Sequence, residues 1–217
     1  MLVTKRWLIV PIAGYCLLAL GCSSGKSPEE SKAPAAQAPA RPAEIYKARL
    51  NTSKGPIVIE VHRAWAPQGA DRFFELAHTG FFDDSRFFRV MKHFVAQFGL
   101  SKDPKVSRLW AQMKILDDPQ KEKNTRGTVT FAKSGPNTRT TQVFINLADN
   151  RSLDGSGFAP FGKVIEGMEN VDKLYWQYGD APPVGSGPEQ NLIMDMGNEY
   201  LQRRFPSLDF INTITLE

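Results

Sequence analysis

Apolar and polar residues alternate over short stretches in much of the chain. The clearest case is "YKARLNTSKGPIVIEVH", which begins at Tyr46 and contains a Ser-Lys-Gly turn. The alternating apolar residues on the two sides of that turn are Ala48, Leu50, Ile57, Ile59 and Val61. Alternation of this kind is typical of strands with one buried face, so the stretch predicts a β-hairpin.

Similar patterns predict further strands at residues 128–132, 142–146 and 161–165, and in the C-terminal "LDFINTITLE". Only two segments have clear helical patterns. "APQGADRFFELAHTGFF" begins its helix at Pro67 and ends it at Gly80, and "GMENVDKLYWQY" has apolar residues at helical spacing. Residues 101–124 read mostly as loop, with one helical turn near residues 106–113. Many short strands with two helices predict a mainly β fold, a closed antiparallel β-barrel with helices at its ends.

The stretch "FFRVMKHFVAQFG", residues 87–99, fits the alternating pattern poorly. It contains four phenylalanines, and Arg89 and Gln97 stand between apolar neighbours. These two residues are either solvent-facing positions of short strands or polar groups directed into an apolar pocket. The pattern alone leaves both possibilities open.

The N-terminus predicts export. Lys5 and Arg6 precede the apolar run "WLIVPIAGYCLLALGC", as in a secretory signal. A transmembrane anchor is the alternative, but the run is short for a span and contains Pro11 and Gly14. The signal is therefore the preferred interpretation.

The ending "LALGC" resembles a bacterial lipobox, although Ala19 stands where leucine is favoured. We therefore expect cleavage before Cys22 and lipidation of that cysteine, which would attach the protein to a membrane facing the periplasm, inner or outer. Residues 23–43 are rich in Ser, Pro and Ala and read as an extended tether. The predicted organisation is a signal peptide over 1–21, a lipidated cysteine and tether over 22–43, and one domain over 44–217.

Charge and motifs exclude several functions. The formal net charge is +4, and loss of Lys5 and Arg6 with the leader leaves about +2, so nucleic acid is not an expected partner. Cys16 would leave with the signal, and Cys22 alone cannot form an internal disulfide. HExxH, P-loop and GxGxxG motifs are absent from the sequence, no GxSxG nucleophile elbow lies in the predicted domain, and the three histidines are scattered. We expect neither metal nor cofactor.

Three motifs resemble those of the cyclophilins. "FFRVMKHFVAQFG" resembles the family's F-H-R-V-x-x-x-F-x-x-Q-G-G, "GTVTFAKSGPNTRTTQVFINL" resembles G-T-x-x-M-A-x-x-x-P-N-T-x-x-S-Q-F-F-I, and "LDGSGFAPFGKVIEGMENVDKL" resembles L-D-x-x-x-x-x-F-G-x-V-x-x-G-M-x-x-V-x-x-I. They occur in the family's order over residues 45–217. The resemblance implies a peptidyl-prolyl cis-trans isomerase, an eight-stranded barrel capped by two helices, proline-containing protein segments as partners, and a monomer without cofactor.

The resemblance also assigns residues. Arg89 matches the catalytic arginine, and Gln97 would orient it and bind a substrate carbonyl. The positions that match the substrate-binding residues are Phe94, Val95, Ala132, Lys133, Gln142, Phe144, Leu153 and Phe158. The backbone at Ala132 and Lys133 would hold the substrate chain. The last assignment lies between Gly157 and Phe158, and Phe158 is preferred because it supplies an aromatic wall.

Three departures from the family pattern affect expectations about the groove. Phe88 stands in place of histidine, Phe98 in place of glycine, and Ser152 in place of the tryptophan that favours cyclosporin-type inhibitors. If these residues alter the rim of the groove, a chaperone or adaptor that grips proline-containing segments without turnover is the alternative to an isomerase. A purely structural envelope lipoprotein is a third and weaker interpretation.

Overall fold

The computed structural model describes residues 42–217. The predicted signal peptide, Cys22 and all but the last two residues of the predicted tether lie outside the described residues. The assigned boundaries between signal, tether and domain stay predictions.

The predicted hairpin forms strands β1 (Ile45–Thr52) and β2 (Gly55–His62). In their antiparallel register, Leu50 pairs with Ile57 and Ala48 pairs with Ile59. All four of these side chains are buried, as the alternation predicts. The hairpin therefore contributes one face to the core.

Six further strands complete one antiparallel sheet. They are β3 (Arg89–Met91), β4 (Val95–Phe98), β5 (Thr128–Phe131), β6 (Val143–Asn146), β7 (Pro160–Glu166) and β8 (Ile211–Leu216). The strand order is β3-β4-β6-β5-β7-β2-β1-β8. The edges of the curled sheet meet through an antiparallel bridge between Arg86 and Phe210. The predicted mainly β, eight-stranded antiparallel fold class is confirmed. The sheet is curled into a half-barrel, and its two edges share this bridge rather than a long ladder.

The described residues contain five α-helices: α1 (Pro67–His78), α2 (Pro104–Ala111), α3 (Met168–Asp172), α4 (Gln190–Met196) and α5 (Asn198–Arg204). The helix predicted from Pro67 corresponds to α1, and the second predicted helix is the short α3. The helical turn expected near residues 106–113 overlaps α2, which begins and ends two residues earlier. Helices α4 and α5 were not predicted, because each has only seven residues and neither has a side-chain cap at its N-terminus.

Aromatic packing fills the main core. Phe82 and Phe98 meet edge to face with ring centroids 5.5 Å apart, and Phe87 and Phe98 do the same at 5.2 Å. Phe73 of α1 packs on Phe161 of β7 at 5.1 Å. Aromatic pairs at these separations add to the stabilisation from burial alone. Phe98, the residue in place of the family's glycine, is therefore a core residue.

A second, smaller cluster of buried residues lies outside the main core. Its members are Phe88, Leu100, Ile193, Tyr200, Leu201 and Leu208, with Tyr178, Leu192, Met194 and Phe205 packed against it. This second cluster joins α4 and α5 to the strand region through Phe88. The expectation that Phe88 and Phe98 alter the groove rim is wrong, because both side chains are buried in hydrophobic clusters.

Candidate active site

Three neighbouring strands bring the predicted catalytic residues together. In the antiparallel register, Arg89 of β3 lies opposite Gln97 of β4, and Gln97 lies opposite Phe144 of β6. Directly opposed residues of antiparallel strands project from the same face, with Cβ atoms about 5 Å apart. Arg89 and Gln97 are eight residues apart in the chain, and the β3–β4 hairpin therefore places them side by side.

These residues open into a cavity of about 350 Å³. It is lined by Arg89, Phe94, Val95, Gln97, Ala132, Lys133, Phe144, Leu153, Phe158, Asp180 and Gln190. Nine of the ten residues predicted for catalysis and substrate binding are in this set. The tenth, Gln142, contacts the lining residues through hydrogen bonds. Of the two interpretations of the polar residues in 87–99, the structure supports polar groups directed into a pocket.

Arg89 has three partners at the cavity. Its Nη1 donates to Oε1 of Gln97 at 3.2 Å, and its Nη2 donates to Oδ2 of Asp180 at 2.7 Å. Its guanidinium carbon lies 5.7 Å from the centre of the Phe94 ring, within cation–π range. Arginine has five N–H donors, so these two hydrogen bonds leave other donors free for a ligand.

The charge of Arg89 also affects its acidic partner. The hydrogen bond from Arg89 lowers the pKa of Asp180 below its usual value, and the N–H of Ala181, at 2.8 Å from Oδ1, adds to the effect against the opposing influence of burial. Asp180 is therefore a carboxylate at neutral pH. The cavity contains a fixed ion pair rather than a lone cation.

A row of amides continues from Gln97. Its Nε2 donates to Oε1 of Gln142 at 2.8 Å, and Nε2 of Gln142 donates to Oε1 of Gln190 at 3.1 Å. Each amide in the row donates to the next, so the Oε1 atom of Gln97 is left to accept from Arg89. The row fixes which end of Gln97 faces the arginine.

The apolar wall of the cavity comes from two parts of the chain. Phe144 of β6 meets Phe158 at a centroid distance of 5.9 Å and an interplanar angle of 66°. Leu153 lies within a 3₁₀ helix (Arg151–Ser156), and Phe158 follows the residue that ends it. Nδ2 of Asn124 donates to the Phe158 carbonyl at 2.8 Å. Gly157 has a φ of 69° and ends that helix, so it is Phe158 that supplies the side chain at this position.

Ala132 and Lys133 also line the cavity, next to residues already described. The Ala132 N–H donates to the Gln142 carbonyl at 2.9 Å, so it already has a partner in the fold. Nζ of Lys133 is 3.1 Å from Oδ2 of Asp117 and 5.6 Å from the Phe158 ring centre. Burial raises the pKa of Asp117, but hydrogen bonds from Asn137 N–H and from Lys133 outweigh burial and hold that pKa below its usual value.

Sequence reasoning missed Asp180 and Gln190. Asp180 lies 91 residues from Arg89 in the chain, in the glycine- and proline-rich stretch "GDAPPVGSGP". Nothing local in that stretch indicates which strand it will contact. The one available signal is the apolar content of the residues that follow, which form the second cluster.

Two further properties concern the described part of the chain. Within residues 42–217, no helix has the length and apolar character required to cross a bilayer. In the same residues, no three His, Cys, Asp or Glu side chains come together as ligands for a metal ion.

Comparison with known proteins gives consistent matches. The model of the cyclophilin type peptidyl-prolyl cis-trans isomerase family matches residues 47–191. A peptidyl-prolyl cis-trans isomerase of Acinetobacter baylyi is 34% identical over 148 residues, which cover 66% of this chain and 77% of that protein. Peptidyl-prolyl cis-trans isomerase B of Escherichia coli is 33% identical over 134 residues, covering 58% of this chain and 81% of the relative.

Solved structures agree on the fold. A cyclophilin type peptidyl-prolyl cis-trans isomerase of Cryptosporidium parvum aligns with a TM-score of 0.60 and 22% identity, over 80% of this chain and 98% of its own. The same protein was also solved in the presence of the dipeptide Ala-Pro, and that structure aligns with a TM-score of 0.59.

The fold and site define a β-sheet protein with an arginine at the margin of an apolar cleft. The family match covers the strands that build this cleft, and the chain belongs to the cyclophilin type peptidyl-prolyl cis-trans isomerase family. The matched residues end at Asn191. Most of α4, all of α5 and β8 lie beyond them.

Proposed function

We propose that this protein accelerates cis-trans rotation of Xaa-Pro bonds in exported proteins and so assists their folding in the cell envelope. The observation that carries the proposal is the position of Arg89, a cation held by Gln97 beside the aromatic wall of Phe94, Phe144 and Phe158. Family membership supports the same reaction.

The reaction needs a cation because of the electronic structure of the amide. An Xaa-Pro bond isomerises in about 10–100 s without a catalyst, and the barrier of about 20 kcal/mol is mainly lost amide resonance. In the twisted transition state the prolyl nitrogen becomes pyramidal and regains a lone pair. Arg89, which is always charged, would donate a hydrogen bond to that nitrogen and stabilise the twisted form more than the planar one.

The apolar wall has a separate task. Rotation about one bond requires that one side of the amide be held while the other moves. Phe94, Phe144 and Leu153, with Val95 and Phe158 beside them, would hold the proline ring by burying its apolar surface. Gln97 and the amide row would hold the polar part of the substrate chain.

A protease-coupled or NMR-exchange assay on a short Xaa-Pro peptide tests the activity. A charge-assisted hydrogen bond contributes about 1.5–3 kcal/mol, so Arg89→Ala is expected to lower kcat/KM roughly 10- to 150-fold. Arg203→Ala is the matched control, because Arg203 is an exposed residue of α5 and its ion-pair partner within residues 42–217 is Glu199. Wild-type turnover no faster than that of Arg89→Ala, with peptide binding retained in both, would instead favour the non-catalytic binding module.

The location of this activity is the second part of the proposal. The sequence pattern at Lys5, Arg6 and "LALGC" supports export and lipidation of Cys22, with residues 23–43 as the tether to the membrane. Mass spectrometry of the mature N-terminus and membrane fractionation test it. Cys22→Ala is expected to move the protein from the membrane fraction to the soluble fraction, and an unchanged distribution would refute the lipid anchor. We further propose that the mature protein is a monomer.

A further inference from the structure

One side of the cavity is closed by a loop that lies outside the three cyclophilin-like motifs. This loop, residues 178–190 and named the cleft loop from here on, contributes Asp180 and Gln190 to the cavity lining. Asp180 contacts Arg89, and Gln190 contacts Gln142. Both contacts are made to residues that the family resemblance places in the site.

The backbone around Asp180 is fixed by the cleft loop itself. The N–H of Gly187 donates to the Asp180 carbonyl at 2.8 Å, and the N–H of Ser186 donates to the Tyr178 carbonyl at 3.1 Å. At Gly185, a Cβ atom would lie 2.3 Å from the Asp180 carbonyl oxygen, so only glycine permits this close approach. The loop is therefore folded tightly around the residue that bears the carboxylate.

The carboxylate has a defined orientation as well. Oδ1 accepts from the N–H of Ala181 at 2.8 Å, which leaves Oδ2 to accept from Arg89 at 2.7 Å. The Ala181 N–H thus orients the Asp180 carboxylate for its contact with Arg89.

The cleft loop is tied to the body of the protein near Arg89. Tyr178 packs on Phe205, the residue that follows α5, with centroids 5.1 Å apart, and Phe205 packs on the second cluster. That cluster contains Phe88, the residue that immediately precedes Arg89. The position of the loop is therefore set by the same short segment that carries the arginine.

We propose that Asp180 is a positioning residue that holds the guanidinium of Arg89 in the orientation needed to act on the prolyl nitrogen. Gln97 binds Nη1 and Asp180 binds Nη2, so the two terminal nitrogens are held from different elements and the planar group cannot rotate freely. Ordering of the arginine then occurs on folding rather than in each catalytic cycle. The inference rests on the proposed isomerase function.

An opposite role would use the same contact. If Asp180 drew Arg89 away from substrate, the ion pair would inhibit the enzyme, and removal of the carboxylate would accelerate turnover. The two hydrogen bonds use two of the five guanidinium donors, which leaves donors for substrate and favours the positioning role. A fall in kcat on removal of the Asp180 carboxylate indicates the positioning role, and a rise indicates the inhibitory role.

The kinetic test compares the wild type with Asp180→Ala, Asp180→Asn and Asp172→Ala. Asp172 is the matched control, because it accepts two hydrogen bonds from Arg126 and lies outside the cavity. We expect Asp180→Ala to lower kcat about 10-fold with little change in KM, because a misplaced reacting group lowers the rate without weakening binding. Asp180→Asn, which keeps an acceptor, should recover part of the rate. In an Arg89→Ala background, Asp180→Ala should have no further effect.

A second measurement does not depend on turnover. In ¹⁵N NMR spectra, the Arg89 guanidinium, assigned by its loss in Arg89→Lys, should show slow rotation in the wild type and faster rotation in Asp180→Ala. Unchanged rotation would overturn the inference, as would a kcat for Asp180→Ala equal to or above that of the wild type. Absence of turnover in the wild type would overturn the proposed function instead, and the NMR comparison would still decide whether Asp180 restrains Arg89.

Discussion

Phe88 and Arg89 are consecutive residues that serve two different parts of the molecule. The Phe88 side chain is 2% exposed and lies in the second cluster, whereas Arg89 lines the cavity. Phe88 immediately precedes β3, which begins at Arg89, and adjacent side chains of an extended chain project to opposite sides. The phenylalanine that departs from the family pattern therefore supports the segment that carries Asp180.

Truncation of Phe88 should destabilise the protein. Phe→Ala substitutions at fully buried sites cost about 3–5 kcal/mol, and we expect Phe88→Ala to fall in this range. The free energy of unfolding from urea denaturation measures the effect. Leu109→Ala is the control, since Leu109 is 65% exposed and should change stability by less than about 0.5 kcal/mol. Equal stabilities of the two variants would show that the second cluster contributes little.

Gln97 should matter more for catalysis than for folding. Gln97→Ala removes the acceptor of Arg89 Nη1 and the donor to Gln142. The substrate carbonyl that Gln97 is proposed to bind is neutral, and one neutral hydrogen bond contributes about 0.5–1.5 kcal/mol. Loss of that bond alone should lower kcat/KM roughly 2- to 13-fold. The isomerase assay measures this, with the exposed Gln112→Ala as control. A fully active Gln97→Ala that folds normally would contradict the assigned role of Gln97.

The strands and the site motif were predictable because their signals are local. Alternation shows directly in β1 and β2, and a three-residue turn between β3 and β4 is enough to place Arg89 beside Gln97. Hairpin register therefore turns sequence spacing into geometry. The β3–β4 register and the pairing of β4 with β6 are enough to bring most of the predicted site residues together.

The cleft loop was not predictable for the opposite reason. Its contact with Arg89 joins residues 91 positions apart, and no strand register links them. Helices α4 and α5, which support the loop, have seven residues each, so their stability comes from packing in the second cluster rather than from helix propensity. Packing between distant segments leaves no periodic pattern in either segment alone.

The ion pair of Arg89 and Asp180 should persist over the whole physiological pH range. The pKa of Asp180 is lowered by Arg89, so the pair's stabilisation is complete above the ordinary aspartate pKa of about 3.9 and is lost as pH falls through the lowered value. We therefore expect no loss of the pair between about pH 5 and 8. A ¹³C NMR titration of the Asp180 carboxyl should give a midpoint below about 3.9, and Arg89→Ala should raise that midpoint. A midpoint that Arg89→Ala leaves unchanged would contradict the pairing.

Gly99 should not tolerate a side chain. It has a φ of 105°, and a Cβ atom there would lie 2.3 Å from the Thr141 carbonyl oxygen. Both the backbone conformation and the lack of space oppose Gly99→Ala, so we expect destabilisation by more than about 1 kcal/mol. Gly155→Ala is the control, because a Cβ atom there meets no atom within 4 Å. Thermal unfolding of the two variants gives the comparison, and similar melting temperatures would contradict the prediction.

Arg139 is expected to stabilise the fold through a buried charge. Its Nη1 donates to Oδ2 of Asp118 at 3.0 Å, and Asp118 in turn accepts from the N–H groups of Gln68 and Gly69 at the start of α1. Arg139→Met would leave this buried carboxylate without its cation, at a cost of about 3–5 kcal/mol.

The matched control for this substitution is Arg126→Met, since the exposed pair of Arg126 and Asp172 should contribute about 0–1 kcal/mol. The double variant Arg139→Met with Asp118→Asn removes both charges and should recover part of the loss, because the neutral amide can still accept from the α1 N–H groups. Urea denaturation of the wild type, Arg139→Met, Arg126→Met and the double variant gives the free energy of unfolding of each. If the double variant is no more stable than Arg139→Met, the loss reflects the other contacts of Arg139, with Asp117 and the Leu116 carbonyl, rather than an uncompensated charge on Asp118.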